Sequence, residues 1–291
     1  MTQQNYPFYG STDLHPARLT FEVYFAEGGF EYSCCPTPES PDECRLVTAY
    51  VNLCEGTHGV AIRRNLFATM NHVREHFLCL PMESVGPALS DLLAGLQKSI
   101  LSVVLVLPDR NDGNFQLVQQ AINAIVNQEL HVQDVVVVIS AKVGQWADLM
   151  GIQYFVESDP QYLEQDATAL FKVLAGGMAP EVLIELDSED LKSSLGSAAH
   201  PSRILHGQWS SQNLTLSMLN QSDYQVFGQT RQMTVSLIGT IKRLTVCSTL
   251  LKNLREISSP DACVIYHVTR GFFLPTDCVP DPVPLVAICR P

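Results

Sequence analysis

The chain has 291 residues, 46% of them apolar, so a sizeable folded core is expected and a mainly disordered chain is excluded. Thirty acidic residues against 18 basic ones leave a net charge of -12, which argues against a nucleic-acid backbone or an anionic membrane as the main partner. Charged residues make up only 16%, against about 25% as the usual share, which suggests that part of the surface is covered by a partner or by further copies of the chain.

Residues 1–17 read as a polar opening segment. Met1–Gly10 has no basic region and no apolar stretch, so no signal peptide is expected. Arg18–Phe25 (RLTFEVYF) alternates apolar and polar side chains and predicts a strand. Ser33–Glu43 carries three prolines and two adjacent cysteines and predicts a loop. A second strand is expected at Arg45–Leu53. Arg64–His76 has helical spacing, and Val85–Lys98 predicts another helix with Pro87 in its first turn.

The pattern then sharpens. Ile100–Leu107 (ILSVVLVL) is an apolar run bounded by Pro108. Asp112 or Asn114 can cap a helix over Phe115–Leu130, and Asp134–Ser140 (DVVVVIS) is again a strand. Apolar runs without alternation suit parallel strands covered on both faces, so strand, helix and strand form a βαβ unit of an α/β sheet. A helix over Gln161–Ala175, ended by Gly176–Gly177, is long enough to link two domains. An acidic loop, Glu185–Asp190, opens a short helix over Ser188–Leu195. Arg203–His206 is a short strand. Strand Gln232–Ile238, helix Leu244–Ile257, strand Ala262–Val268, a proline-rich turn and strand Pro284–Cys289 complete the chain. The expected organisation is a first α/β domain over 1–155, a linking helix over 156–180 and a smaller α+β domain over 181–291.

The apolar runs are too short to span a bilayer, so a cytoplasmic protein without direct membrane insertion is expected. Nine cysteines then read mostly as small buried apolar residues. Cys34, Cys35, Cys44 and Cys54 crowd near the start, but no pair has C-x2-C spacing, which leaves a zinc site without support there. One metal pattern does occur. His72–Val73–Arg74–Glu75–His76 matches H-x-x-E-H. On a helix the two histidines would lie one turn apart and share a zinc, with Glu75 as base and Glu129 or Glu157 as third ligand. Surface histidines on a helix are the simpler reading, and no metal is expected.

From residue 84 onward the element order resembles the FtsZ family of the tubulin superfamily. Leu101–Gly113 (LSVVLVLPDRNDG) resembles the strand and loop after that family's phosphate-binding helix. Phe115–Ser140 resembles its next helix and strand. Gln161–Ala175 is similar to the central helix between two domains, and Ile184–Leu191 (IELDSEDL) to the acidic loop N-V-D-F-A-D-V. Ser202–Gly207 and Leu244–Pro291 resemble the later elements. The resemblance covers about 200 residues and rests on element order more than on motifs.

What it implies is a nucleotide-binding half that has eroded. Phe25–Phe30 (FAEGGF) stands where the family has its first glycine-rich loop, and Cys79–Ala88 (CLPMESVGPA) where it has G-G-G-T-G-T-G. Glycines there let backbone N–H groups cradle phosphate. Pro81, Met82, Glu83 and Val85 cannot do so, Pro81 removes a donor and Glu83 repels phosphate, so Pro81 to Val85, with Ser84, and Gly86 are a degenerate phosphate loop. The family's base-reading asparagine falls at Ser140 or Ala141. No cofactor is therefore expected, GTP binding being lost or weak, and no catalytic residue is assigned. In the family a neighbouring subunit inserts the acidic loop. Asp187 and Asp190 align with its acids and Glu185 replaces an asparagine, so these three are candidates for an assembly interface. Asp187 as a plain helix cap is the competing reading. The expected function is a non-catalytic FtsZ-like scaffold or filament protein in cell division or membrane remodelling. Its partners would be itself, head to tail, or an FtsZ-type protein, with a membrane-associated adaptor and no nucleic acid. The alternatives are a GTPase of the same fold with a divergent pocket, and a zinc peptidase using His72, Glu75 and His76.

Overall fold

A computed structural model describes residues 20–27, 46–52, 74–81, 99–111, 114–126, 135–177, 188–210, 215–218, 221–238, 244–269 and 282–291. The chain is α/β, built on one mixed sheet. Its strands are β1 (Thr20–Glu27), β2 (Leu46–Asn52), β3 (Arg74–Pro81), β4 (Ser99–Val106), β5 (Val135–Ser140), β6 (Tyr154–Glu157), β7 (Ser202–Ser210), β8 (Thr215–Met218), β9 (Gln232–Ile238), β10 (Cys263–Thr269) and β11 (Val283–Arg290). They lie in the order β10-β9-β11-β7-β6-β5-β4-β2-β1-β3, with β8 paired to β7 off that path.

Strands β2, β4, β5, β6 and β7 pair parallel to one another in sequence across the centre. In β4 and β5, Val103 to Val106 and Val137 to Ile139 are all buried, as strands covered on both faces require. The apolar runs read from the sequence therefore sit at the middle of the sheet. Past β7 the pairing turns antiparallel through β11 and β9, and β10 then adds parallel to β9. At the other end β1 lies antiparallel between β2 and β3.

Five helices are described: α1 (Phe115–Val126), α2 (Leu163–Gly177), α3 (Ser188–Ser194), α4 (Gln221–Gln229) and α5 (Leu244–Ile257). The central one, α2, packs against β2, β4, β5, β7, β10 and β11. Its Ala167, Leu170, Phe171 and Leu174 join Val104, Val137, Ile139, Ile204 and Ile288 in one apolar cluster. Tyr50 of β2 meets Phe171 edge to face, with ring centroids 5.6 Å apart. A second cluster lies under α4 and α5, with Trp209, Phe227, Leu250 and Leu254 fully buried.

The expected helix over Arg64–His76 needs correction. Arg74, Glu75 and His76 open strand β3 and pair with Glu27, Ala26 and Phe25 of β1. The helical turn that would bring the histidines of H-x-x-E-H together is not what the backbone has at Glu75 and His76. His72, Val73 and Glu129, and the expected helix over Val85–Lys98, lie outside the described residues. Among the described residues no three His, Cys, Asp or Glu side chains group as a metal site. No described helix is long and apolar enough to cross a membrane. Of the described cysteines, Cys263 is exposed and Cys289 buried, where burial pushes its thiol up to about 12.

One glycine is required by close approach. The Gly196 carbonyl, between α3 and β7, accepts the Phe155 N–H of β6 at 2.8 Å. A Cβ at Gly196 would meet the His200 carbonyl oxygen at 2.1 Å and the Ser202 nitrogen at 2.6 Å. Both are backbone atoms that cannot swing aside. Gly196→Ala should lower stability by about 1–3 kcal/mol in urea unfolding.

Half-buried Lys172 on α2 gives a pH signature. Burial lowers its ammonium from 10.5 to about 8. Between those two values the unfolded chain binds the extra proton, so stability rises with pH across that window. Lys172→Met should abolish the rise and stabilise the protein at pH 7 by roughly 3 kcal/mol at most, measured by urea unfolding at pH 7 and pH 10.

Candidate functional site

In open parallel sheets ligands bind beyond the carboxyl ends of the strands. Here a gap opens there for a stated reason. Strand β6 pairs with β7 only at Ser202 and Arg203, then ends at Glu157. Strand β8 takes up the pairing on β7 only from Gly207 onward. Between them Ile204, Leu205 and His206 pair with β11 on one side and line a cleft of about 760 Å³. Its other walls are Ala141 and Ser158 after β5 and β6, Gln165 and Asp166 on α2, and Asp223 and Val226 on α4. The volume falls within the usual range of about 300–1,000 Å³ for small-ligand sites.

At the floor stands a buried carboxylate. Asp166 accepts a hydrogen bond from the Ser158 hydroxyl at 2.6 Å on one oxygen and pairs with His206 Nε2 at 2.7 Å on the other. Asp166 lies in the first turn of α2, where the helix dipole favours negative charge. Both oxygens are satisfied, which is the condition for burying such a group. A carboxylate acceptor at Nε2 keeps a proton on that nitrogen. At the rim Arg203 meets Glu157 at 3.2 Å. Asp159 accepts the Gln161 N–H at 3.1 Å and starts the turn into α2, beside Tyr162, which is 36% exposed. Glu157, one of the two residues that the zinc alternative offered as third ligand, is thus a rim residue paired with arginine.

Next to this cleft the loops after β4 and β5 are tied together. Arg110 lies over the Phe115 ring at 3.9 Å, and Phe115 stacks on Trp146. Trp146 Nε1 donates to the Pro108 carbonyl at 3.0 Å. Arg110 also donates to Asp148 at 2.6 Å, which holds that carboxyl below its usual range. Ser140, one of the two positions aligned with base reading, is buried, and its hydroxyl accepts the Lys142 N–H at 3.3 Å. The other, Ala141, has no group with which to read a base.

Of the acidic candidates, Asp190 lies in the first turn of α3 and is half-buried. Its carbonyl accepts the Ser193 hydroxyl at 2.6 Å. Exposed Glu189 pairs with Lys192 at 2.8 Å. Leu191 and Leu195 anchor the segment in the core. Glu185 and Asp187 lie outside the described residues, as do Met82, Glu83, Ser84, Val85 and Gly86. Pro81 is the last residue of β3.

The sequence reading missed Ser158, Asp166 and His206. A signal existed for one of them. Asp166 falls three residues after Leu163 and four before Leu170, on the apolar stripe of α2, where an acid must be buried and partnered. Asp166→Ala should cost about 1–3 kcal/mol by stranding the Ser158 hydroxyl and the His206 ring N–H. It should also mix the His206 tautomers, read by 15N NMR of the ring nitrogens.

No protein-family model matches the chain. No curated protein matches it either. Among solved structures it is similar to an empty FtsZ dimer from M. jannaschii, at 12% identity and a TM-score of 0.44, over 72% of this chain and 68% of that one.

Proposed function

We propose that the protein is a non-catalytic FtsZ/tubulin-like scaffold that acts by assembly without GTP, on itself head to tail or on an FtsZ-type filament. One observation carries the loss of nucleotide. Phe25, Ala26 and Glu27 close β1, and Cys79, Leu80 and Pro81 close β3, the two stretches aligned with the family's phosphate loops. These strands run antiparallel, with Glu27 opposite Arg74 and Thr20 opposite Pro81. The two stretches therefore end at opposite edges of the sheet, seven positions apart along the ladder, or roughly 23 Å at the usual strand rise. Two glycine-rich loops cradle one phosphate chain only when they converge.

The reading draws its acidic assembly face from Glu185, Asp187 and Asp190. Family filaments use a heterologous interface that does not close on itself. A chain that keeps the acidic face and lacks the nucleotide face either stacks on itself or caps a true filament. The low charge content favours self-association. Such a scaffold would serve cell division or membrane remodelling through a membrane-associated adaptor.

Two measurements test it. Calorimetry should find no GTP binding and no turnover; micromolar binding with turnover would overturn the loss of nucleotide. Electron microscopy and sedimentation should find nucleotide-independent assemblies, or co-sedimentation with an FtsZ-type filament. Asp187→Arg with Asp190→Arg should abolish either one while circular dichroism stays unchanged. Wild-type assembly of the double variant would reduce the acidic segment to a helix cap.

A further inference from the structure

We propose that strand β10 is a dimer interface, where two copies of the chain join edge to edge, β10 antiparallel to β10, about a two-fold axis at Tyr266. The inference does not rest on the scaffold reading, since it uses neither the acidic segment nor the loss of nucleotide.

Backbone direction is the first argument. Strand β10 ends the strand order, parallel to β9, and among the described residues no strand lies beyond it. The Cys263 N–H donates to the Arg231 carbonyl at 2.8 Å, on the β9 side. In a strand the N–H and C=O of one residue point to one side, and successive residues alternate. Cys263, Ile265, His267 and Thr269 therefore bond toward β9. Val264, Tyr266 and Val268 present their N–H and C=O groups to the open edge, where such groups seek partners.

The edge is also unguarded. Cys263–Thr269 (CVIYHVT) has no charged residue, no proline and no glycine, and Asp261 is the only charge from Ser258 to Thr269. Proteins usually blunt a sheet edge with charge or proline. The opposite margin of this sheet follows that rule, since β3 carries Arg74, Glu75 and Pro81. Both faces of β10 are occupied: Val264 and Tyr266 pack on the cluster under α4 and α5, and Ile265 on the cluster around α2. These three residues are nevertheless only half-buried, whereas Met233 to Leu237 of neighbouring β9 are buried. What β10 lacks is a strand beside it.

The occupant follows from the order of the residues. The outward positions read Val264, Tyr266, Val268, which is the same in both directions. Antiparallel pairing about Tyr266 sets Val264 opposite Val268 of the second copy, Tyr266 opposite Tyr266, and Val268 opposite Val264. All three are hydrogen-bonded pairs that exchange two bonds each, so no outward group is left over. An isologous contact of this kind closes at the dimer. Two chains of net charge -12 repel each other over most of their surface, and an almost uncharged edge is where that repulsion is least. The low overall share of charged residues, 16%, agrees with a surface covered by a second copy.

Sedimentation equilibrium tests the proposal, on the wild-type chain and on Asp187→Arg with Asp190→Arg, in which head-to-tail assembly is expected to be absent. The double variant should show a reversible monomer–dimer equilibrium that ends at the dimer. A monomer at every concentration up to about 100 μM would overturn the proposal. Val264→Pro removes an outward N–H and no bond to β9, a place where an edge strand tolerates proline. It should raise the dimer Kd by about tenfold or more with unchanged circular dichroism. Unchanged dimerisation of the folded variant would overturn the proposal. Should Val264→Pro fail to fold, the register itself decides. Cys263, which is exposed, falls opposite Thr269 of the second copy in a pair that is not hydrogen-bonded, with Cα atoms about 4.5 Å apart, within the reach of a disulfide. Thr269→Cys should therefore give a disulfide-linked dimer under copper phenanthroline, and Cys263→Ser should remove that link. Val268→Cys, one residue out of register with Cys263, should give little. Equal linking in Thr269→Cys and Val268→Cys, or none in either, would overturn the pairing. Filaments are read separately by electron microscopy, so the scaffold reading can fail while this one stands.

Discussion

Two residues on each side, Val156 and Glu157 against Ser202 and Arg203, are all that join β6 to β7. Every strand before them belongs to the parallel half of the sheet or to its antiparallel margin, and every strand after them to the other half. A two-residue ladder is too short to hold such a junction, because each backbone hydrogen bond nets only about 1 kcal/mol. The junction is held from outside the ladder. The Phe155 N–H reaches the Gly196 carbonyl, and the Ser202 hydroxyl donates to the Ser194 carbonyl at 2.7 Å. Ser194 in turn shares a hydrogen bond with Thr234 of β9. Above all, α2 lies across both halves and buries one continuous apolar cluster from Tyr50 to Ile288. The expected linking helix is thus also the clamp of a continuous sheet.

The cleft follows from that same short junction. Had β6 continued, it would have paired with β7 through His206, and no cavity would exist. Because β6 stops at Glu157 and the chain turns at Ser158–Asp159–Pro160 into α2, one edge of β7 is left over three residues to side chains. The turn also sets the start of α2, which carries Asp166 to the place where Ser158 and His206 can both reach it. A single termination therefore makes both the space and the polar floor beneath it.

Much of this architecture was legible in the sequence, and the reason is burial on both faces. Val103–Val106 and Val137–Ile139 are apolar without alternation because no water touches either side, and such runs admit few other readings. The bounds of β9 and α5 match those read from periodicity, since α5 presents one clear stripe through Leu250 and Leu254. The margins were harder. Arg74–His76 closes a stretch, Arg64–His76, whose spacing reads as a helix, and the pairing of β3 with β1 is a contact between residues some fifty positions apart, which no local pattern encodes. Short β6, with four residues, and α4, with mixed polarity, fell below what periodicity resolves. The cleft was invisible for a related reason. Ser158, Asp166 and His206 are ordinary residues scattered over nearly fifty positions, and only the fold makes them neighbours.

The direction of each strand decides what its loop can do. In the parallel centre β2, β4, β5 and β6 all deliver their carboxyl ends to one edge, so the loops after them accumulate there and build a common site. Strand β3, paired antiparallel to β1, runs the same way as that group, and Pro81 closes it at the same edge. Strand β1 runs against them. Its own carboxyl end, at Glu27, is delivered to the far edge. The chemistry available at the ligand-binding edge is then what β5, β6, α2 and β7 supply. That supply is buried Asp166 paired with half-buried His206, the carboxylates of Glu157, Asp159 and Asp223, and the Arg203 that pairs with Glu157.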